Sequence, residues 1–159
     1  GKNMADLTVT LTESVTLNGV DQGATTSLTV ASVVETFKRI VACPTGVDTT
    51  VATFKSTSAT ADGALDVEDV RYVRVTNLDG TNPVNLSLQI DAGEDDSAAD
   101  ESATILLEAG KSFIMGTPSD GVAVSDANAT IVTTLHNLES ILIDPLTNEV
   151  AVEVFIARV

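Results

Sequence analysis

At 159 residues the chain is long enough to bury a core without disulfides or metals. Its composition is 43% hydrophobic but only 3% aromatic, with no Trp and one Tyr, so a core must be built from Val, Leu, Ile and Ala. Its few large pieces are Phe37, Phe54, Phe113 and Phe155. A formal charge of −15, from 23 acids against 8 bases, disfavours nucleic-acid phosphates and anionic lipid and favours divalent cations and basic partner surfaces.

Abundant Thr and Val favour strands over helices, because β-branched side chains fit a pleated surface. From Leu7 to Leu17, the residues Leu7, Val9, Leu11, Val15 and Leu17 alternate with Thr and Ser. This is the pattern of a half-buried strand, interrupted at Glu13, where a bend or bulge would take the carboxylate to water. Asn18 to Gly23 marks a turn, and Ser27 to Val33 resumes as strand. A further strand runs from Phe37 to Ala42 and stops before Pro44. Thr50 to Ser56 supplies another, Thr57 to Gly63 reads as loop, and Leu65 and Val67 lead into the most strongly patterned stretch, Val70 to Ile90.

In that stretch Arg71 to Val75 is β-branched and aromatic, and Val84, Leu86, Leu88 and Ile90 share one face. The turn-rich segment Asn77 to Pro83, with Asp79-Gly80 inside it, predicts a β-hairpin between the two. Ile105 to Leu107 and Phe113 to Met115 flank Glu108 to Ser112 in a second hairpin pattern. Pro118 to Gly121 is a turn, and Val122 to Val124 and Ala129 to Leu135 are short strands. Leu138 to Ile143 and Val150 to Ile156 predict a final hairpin, with Val150, Val152, Val154 and Ile156 on one face. The sum is an all-β antiparallel β-sandwich, jelly-roll or immunoglobulin-like, of about eight to ten short strands. It occupies residues 1–159 as a single domain.

Between these strands, residues 91–101 hold six acids and almost nothing that packs, which predicts an exposed acidic loop. Asp91, Glu94, Asp95, Asp96, Asp100 and Glu101 are hard oxygen donors of the kind calcium prefers, and they are the candidate metal ligands. Their spacing does not match a helix-loop-helix calcium site, and a solvated loop is the favoured reading of them. Asp66, Glu68 and Asp69 form a weaker second cluster. No other cofactor is suggested.

Catalytic patterns are thin. Ala109-Gly110-Lys111-Ser112 ends like a phosphate-binding loop, but the required glycine five positions before Gly110 is Ile105. His136 is the only histidine and no Gly-x-Ser-x-Gly elbow accompanies it. Cys43 is the only cysteine, which rules out an intrachain disulfide and reads as a small buried hydrophobe; the cellular compartment stays open. Paired carboxylates permit a glycosidase-like arrangement by residue type, yet the aromatic platforms of sugar sites are missing. The sequons at Asn85 and Asn128 are short enough to arise by chance. No apolar run approaches a membrane span and no signal peptide is evident. Met4-Ala5-Asp6 reads as a natural start preceded by Gly1-Lys2-Asn3. The expectation is a protein that is not an enzyme.

Three stretches carry a resemblance: Leu7 to Gly19 (LTVTLTESVTLNG), Arg39 to Thr57 (RIVACPTGVDTTVATFKST) and Val70 to Ile90 (VRYVRVTNLDGTNPVNLSLQI). With the later LEAGKSFIM and EVFIAR, they resemble small virion structural proteins of tailed bacteriophages, particularly marine ones. The acidic insert at 91–101 has no counterpart in that likeness. The resemblance implies a capsid decoration (cement) subunit, located in the virion, with the major capsid protein or other virion proteins as partners and a homo-oligomeric state. A tail, fibre or adhesion component is the alternative within structural roles. A calcium- or carbohydrate-binding β-sandwich module of a bacterial surface protein is the alternative from another class.

Overall fold

The computed structural model describes residues 3–56, 63–93, 99–126 and 130–159. Among the described residues the chain forms strands and no helix. In chain order these are β1 (Ala5–Thr12), β2 (Thr16–Leu17), β3 (Val20–Asp21), β4 (Thr25–Val33), β5 (Glu35–Cys43), β6 (Thr49–Lys55) and β7 (Leu65–Asp66). They continue as β8 (Val70–Asn77), β9 (Val84–Asp91), β10 (Glu101–Leu107), β11 (Ser112–Met115), β12 (Asn137–Pro145) and β13 (Val150–Arg158). That is 13 strands, more than the periodicity suggested, because the ribbon tip and β7 add pairs of two residues each.

Eight strands make a sandwich of two sheets, β11-β8-β13-β5 and β10-β9-β12-β6, with the short β7 added in parallel beside β6. The antiparallel pairs are nested: β5 with β13, β6 with β12, β8 with β11 and β9 with β10. First pairs with last, second with second-last, as in one long hairpin. Rolling that hairpin brings β13 beside β8 and β12 beside β9. This is the jelly-roll order, which periodicity alone could not separate from the immunoglobulin-like one.

Alternation explains why the roll closes. Val84, Leu86, Leu88 and Ile90 of β9 point inward, as do Leu138, Ile141 and Ile143 of β12. All of them but Ile90 share one cluster with Val73 and Val75 of β8 and Val150, Val152, Val154 and Ile156 of β13. Nearly all of these are fully buried, and each such side chain contributes about 1.5–3 kcal/mol. Register shifts in β12 at Leu138/Ser140 and Ile141/Leu142 bend the strand without turning its apolar face outward.

The three predicted hairpins are corners instead. β8 and β9, β10 and β11, and β12 and β13 each lie in opposite sheets and do not pair with each other. Turn residues mark where a strand ends; they do not say whether the next strand returns beside it or crosses the interior. Ala129 to Leu135 is not a strand where it is described, and Val122 makes only an isolated bridge to His136. Of the four phenylalanines, Phe54 is in the core and Phe37 and Phe113 pack at its margin. Phe155 points the other way, out of the sandwich.

The β8–β9 corner is held by Asn77, which is fully buried. Its side-chain amide donates to the carbonyls of Asn82 (2.9 Å) and Leu107 (3.1 Å), and its Oδ1 accepts the Asp79 N–H (2.9 Å). Its backbone bonds Lys111 and Gly110 in the neighbouring β10–β11 corner. Asp79 then closes the loop: the N–H groups of Asn82 and Thr81 donate to its Oδ1 and hold its carboxyl below the usual range. Replacing Asn77 strands one buried N–H and two carbonyls. Asn77→Ala is therefore expected to cost about 2–4 kcal/mol in urea unfolding, with an unchanged m-value. A cost below about 0.5 kcal/mol would contradict this role for the side chain.

The β1–β4 ribbon as a candidate functional site

Residues 5–33 do not join the sandwich. β1 and β4 pair only with each other, as a two-stranded ribbon. Register places Leu7 opposite Val30, Val9 opposite Leu28 and Leu11 opposite Thr26, so one face is apolar. The other face is hydroxylic, with Thr8 opposite Thr29, Thr10 opposite Ser27 and Thr12 opposite Thr25. Cross-strand hydroxyl contacts of 3.2 Å (Thr10–Ser27) and 3.4 Å (Thr12–Thr25) line it.

Glu13 interrupts the ribbon as its place in the alternation suggested, and the structural reason lies opposite it. The Glu13 N–H donates to the Ala24 carbonyl at 2.8 Å, and a Cβ on Gly23 would sit 1.8 Å from the Glu13 carbonyl oxygen. Only glycine permits that approach. Asp21 braces the kink by accepting the Gly23 N–H (2.8 Å) and the Val15 N–H (3.3 Å). Beyond it, β2 and β3 close on Asn18-Gly19, both at positive φ (52° and 78°), the two-residue turn whose twist suits a hairpin.

The ribbon's base is anchored on a second, outer apolar layer. Leu7, Val9, Val30 and Val33 pack on Tyr72, Phe155 and Ala157, on the outer face of the β11-β8-β13-β5 sheet. Tyr72 and Phe155 meet edge-to-face at 6.0 Å. This layer was not anticipated, and its signal was present: Phe155 stands on the face of β13 opposite Val152, Val154 and Ile156. Farther out the apolar residues are uncovered: Leu11 is 56% exposed, Leu28 48%, Leu17 56% and Val20 57%.

Between β1 and the sheet beneath it lies an open groove of about 390 Å³. Leu7 to Leu11 form one wall, and Lys38, Tyr72, Arg74, Ile114 and Phe155 the floor. Arg74 donates to Glu153 at 2.6 Å and to the Thr76 hydroxyl, which holds the Glu153 carboxyl below its usual range. No carboxylate lines the groove among the described residues, although the chain carries a charge of −15.

The two ends of the acidic segment are strand residues. Asp91 is the last residue of β9 and only 2% exposed, and Glu101 is the first of β10 and half-buried, so neither belongs to an exposed loop as the sequence predicted. Both belong to strands because the β9–β10 pairing runs through to Ile90 opposite Glu101. Asp100 accepts the Gly93 N–H at 2.7 Å. Glu94, Asp95 and Asp96 lie outside the described residues, as do Asn128, Gly1, Lys2 and most of the 57–63 loop. Among the described residues no three His, Cys, Asp or Glu side chains are gathered as a metal site. Asp66 caps its own turn through the Glu68 N–H (3.1 Å), and Asp69 and Glu35 flank Arg158.

The remaining chemistry-bearing residues fall into structural places. Lys111 sits in a turn, its N–H on the Glu108 carbonyl (3.0 Å), and Ser112 is a strand residue bonded to Thr76 (2.7 Å). His136 pairs through its backbone with Val122. Asn85 lies with Ser87, Gln89, Thr104, Asp48 and Asp144 along a polar trough of about 220 Å³ on the outer face of the other sheet. No described helix is long and apolar enough to cross a membrane.

Cys43 is fully buried and burial pushes its thiol above the ordinary value. It should stay unreactive to a thiol-specific disulfide reagent in the native state and titrate fully in denaturant; prompt native labelling would contradict the packing. Gly23→Ala should open the kink, raising amide exchange across residues 13–24 while the thermal midpoint of the sandwich stays within about 2 °C. Loss of the whole fold would show the ribbon to be part of the core. No protein-family model, no curated protein and no solved structure matches this chain.

Proposed function

We propose that this protein is a non-enzymatic structural component of a virion, a capsid decoration subunit that coats or stabilises the shell. One observation carries the assembly role: Leu11, Leu17, Val20 and Leu28 are uncovered on a β-ribbon that is anchored at its base and bare toward its tip. Such an element is built to bury surface against another protein, and a jelly-roll core supplies a rigid mount for it. The virion setting itself rests on the likeness of Leu7–Gly19, Arg39–Thr57 and Val70–Ile90 to phage structural proteins. The acidity of the surface complements a basic patch on a shell protein.

A second reading has its own observation. The trough formed by Asp48, Asn85, Ser87, Gln89 and Asp144 offers carboxylates, amides and a hydroxyl to a polyhydroxylated ligand, as a carbohydrate-binding module would.

Co-sedimentation with purified capsid shells separates the two. The chain should pellet with shells at about 0.1 M salt and be released toward 1 M, where screening shortens to about 3 Å. Leu17→Ser with Val20→Ser should weaken retention at least tenfold without changing the circular dichroism spectrum. Absence of binding to shells, together with retention on a glycan array that is lost in Gln89→Ala, would reverse the ranking.

A further inference from the structure

We propose that Asn18 is a site of spontaneous covalent modification, converted through a cyclic imide to aspartate and isoaspartate at a rate set by opening of the ribbon tip. The conversion does not depend on what the ribbon binds; its consequence for docking rests on the decoration reading.

Asn18-Gly19 is the chain's one asparagine–glycine pair, and both residues are exposed in the two-residue turn between β2 and β3. The reaction begins when the Gly19 main-chain nitrogen gives up its proton to solvent and attacks Cγ of Asn18. A bond forms between that nitrogen and Cγ, the Cγ–Nδ2 bond breaks, and the amide nitrogen leaves as ammonia with a proton taken from water. Water then opens the five-membered imide at either carbonyl. One opening restores the main chain with an aspartate; the other leaves the main chain running through the side chain. A bulky residue after the asparagine obstructs the attack, and here a Cβ on residue 19 itself would meet nothing within 4 Å. The Asn18 amide makes no hydrogen bond among the described residues. Other asparagines are placed differently. Asn77 is buried and bonded through its amide, Asn82 precedes Pro83, which has no N–H, and the Asn148 amide donates to Asn82.

The closed turn holds the reaction back. Asn18 is left-handed at φ 52°, a conformation that carries the Gly19 nitrogen to the side of the Cα–C bond away from Cβ, so the ring closes only when the turn opens. The tip is where opening is easiest. β2 and β3 are joined by two residue pairs, Thr16–Asp21 and Leu17–Val20, and the ribbon's pairing breaks at Glu13 and Gly23 before reaching them. Nothing from Val15 to Val20 belongs to either buried cluster. A two-stranded element without a supporting layer is marginal in water, so the tip opens while the sandwich stays folded.

The product changes what the tip presents. Ser14 to Val20 carries no charge, and conversion sets a carboxylate between the uncovered Leu17 and Val20. Isoaspartate also adds a carbon to the main chain of a turn whose two-residue length sets Leu17 opposite Val20. A chain made with a neutral apolar tip thereby acquires a charged one with age, and its docking on a shell weakens.

The test follows the purified full chain through storage in warm, mildly alkaline buffer, by peptide mass mapping and enzymatic methylation of isoaspartate. Asn18 of the native chain should convert ahead of every other asparagine, and more slowly than in the denatured chain. Gly23→Ala, and separately Asp21→Ala, which removes the brace on the Gly23 and Val15 N–H groups, should each speed native conversion about threefold or more. Asn18→Gln should show no product at this position over the same period. A native Asn18 that stays intact while the denatured chain converts would overturn the proposal, as would rates unchanged in both tip variants. Aged chain should then be retained on shells about tenfold more weakly than fresh chain, since docking would bury the new charge. Equal retention of the two would overturn the consequence for docking and leave the modification standing. If neither form pellets with shells, the decoration reading falls and the site at Asn18 remains.

Discussion

Val73, Val75, Val152, Val154 and Ile156 of one sheet are buried against Leu86, Leu88, Ile141 and Ile143 of the other, and without that contact neither sheet has anywhere to put its apolar face. Every other feature of the molecule is arranged around it. With 3% aromatic residues, the interior is filled by many branched aliphatics in place of a few large anchors. Its stability is accordingly spread over all eight sandwich strands. Nested pairing is how one chain meets the demand. The Arg158–Glu35 ion pair and the β13–β5 register join residues far apart in sequence, at the outermost layer of the roll.

Crossing between sheets puts polar backbone inside an apolar molecule, and the corners show how that cost is met. Asn77 is buried with both ends of its amide bonded, so one side chain satisfies the turn that leaves β8 and touches the strand end that leads to β11. Asp79 performs the related task on the exposed side of the same loop. A buried amide with all its partners present fixes one geometry for the corner, since any other leaves several groups unpaired. The ion pairs Lys55–Glu139 and Arg74–Glu153 lie outside this interior and add modestly to it.

The ribbon follows a different logic. It has one apolar face and only half of the surface needed to cover it, supplied by Tyr72, Phe155 and Ala157 at its base. A two-stranded ribbon is marginal in water unless another layer supports it. At Glu13 and Gly23 the two strands of the ribbon break where their backbones approach closely. The groove beside it carries Lys38 and Arg74, the latter ion-paired with Glu153.

Sequence by itself determined the strands and their faces. The alternation through Val84–Ile90 and Val150–Ile156, the stop before Pro44 and the break at Glu13 are local properties of backbone and side chain, and local patterns report them. It also contained the odd residue, Phe155 on the outward face, that betrays a second apolar layer. Tertiary structure alone decided which strands are neighbours. The segments 70–90, 105–115 and 138–156 carry hairpin patterns, yet each spans two sheets, because a turn-rich loop of several residues suits a return beside the strand and a crossing of the interior alike. The choice is made by distant residues: β8 is claimed by β13 and β11, and β9 by β12 and β10. For the same reason the ribbon's exposure was hidden in Leu7–Leu17, whose alternation is that of a half-buried strand. Periodicity says that one face is apolar; only the packed molecule shows how much of that face its own chain covers.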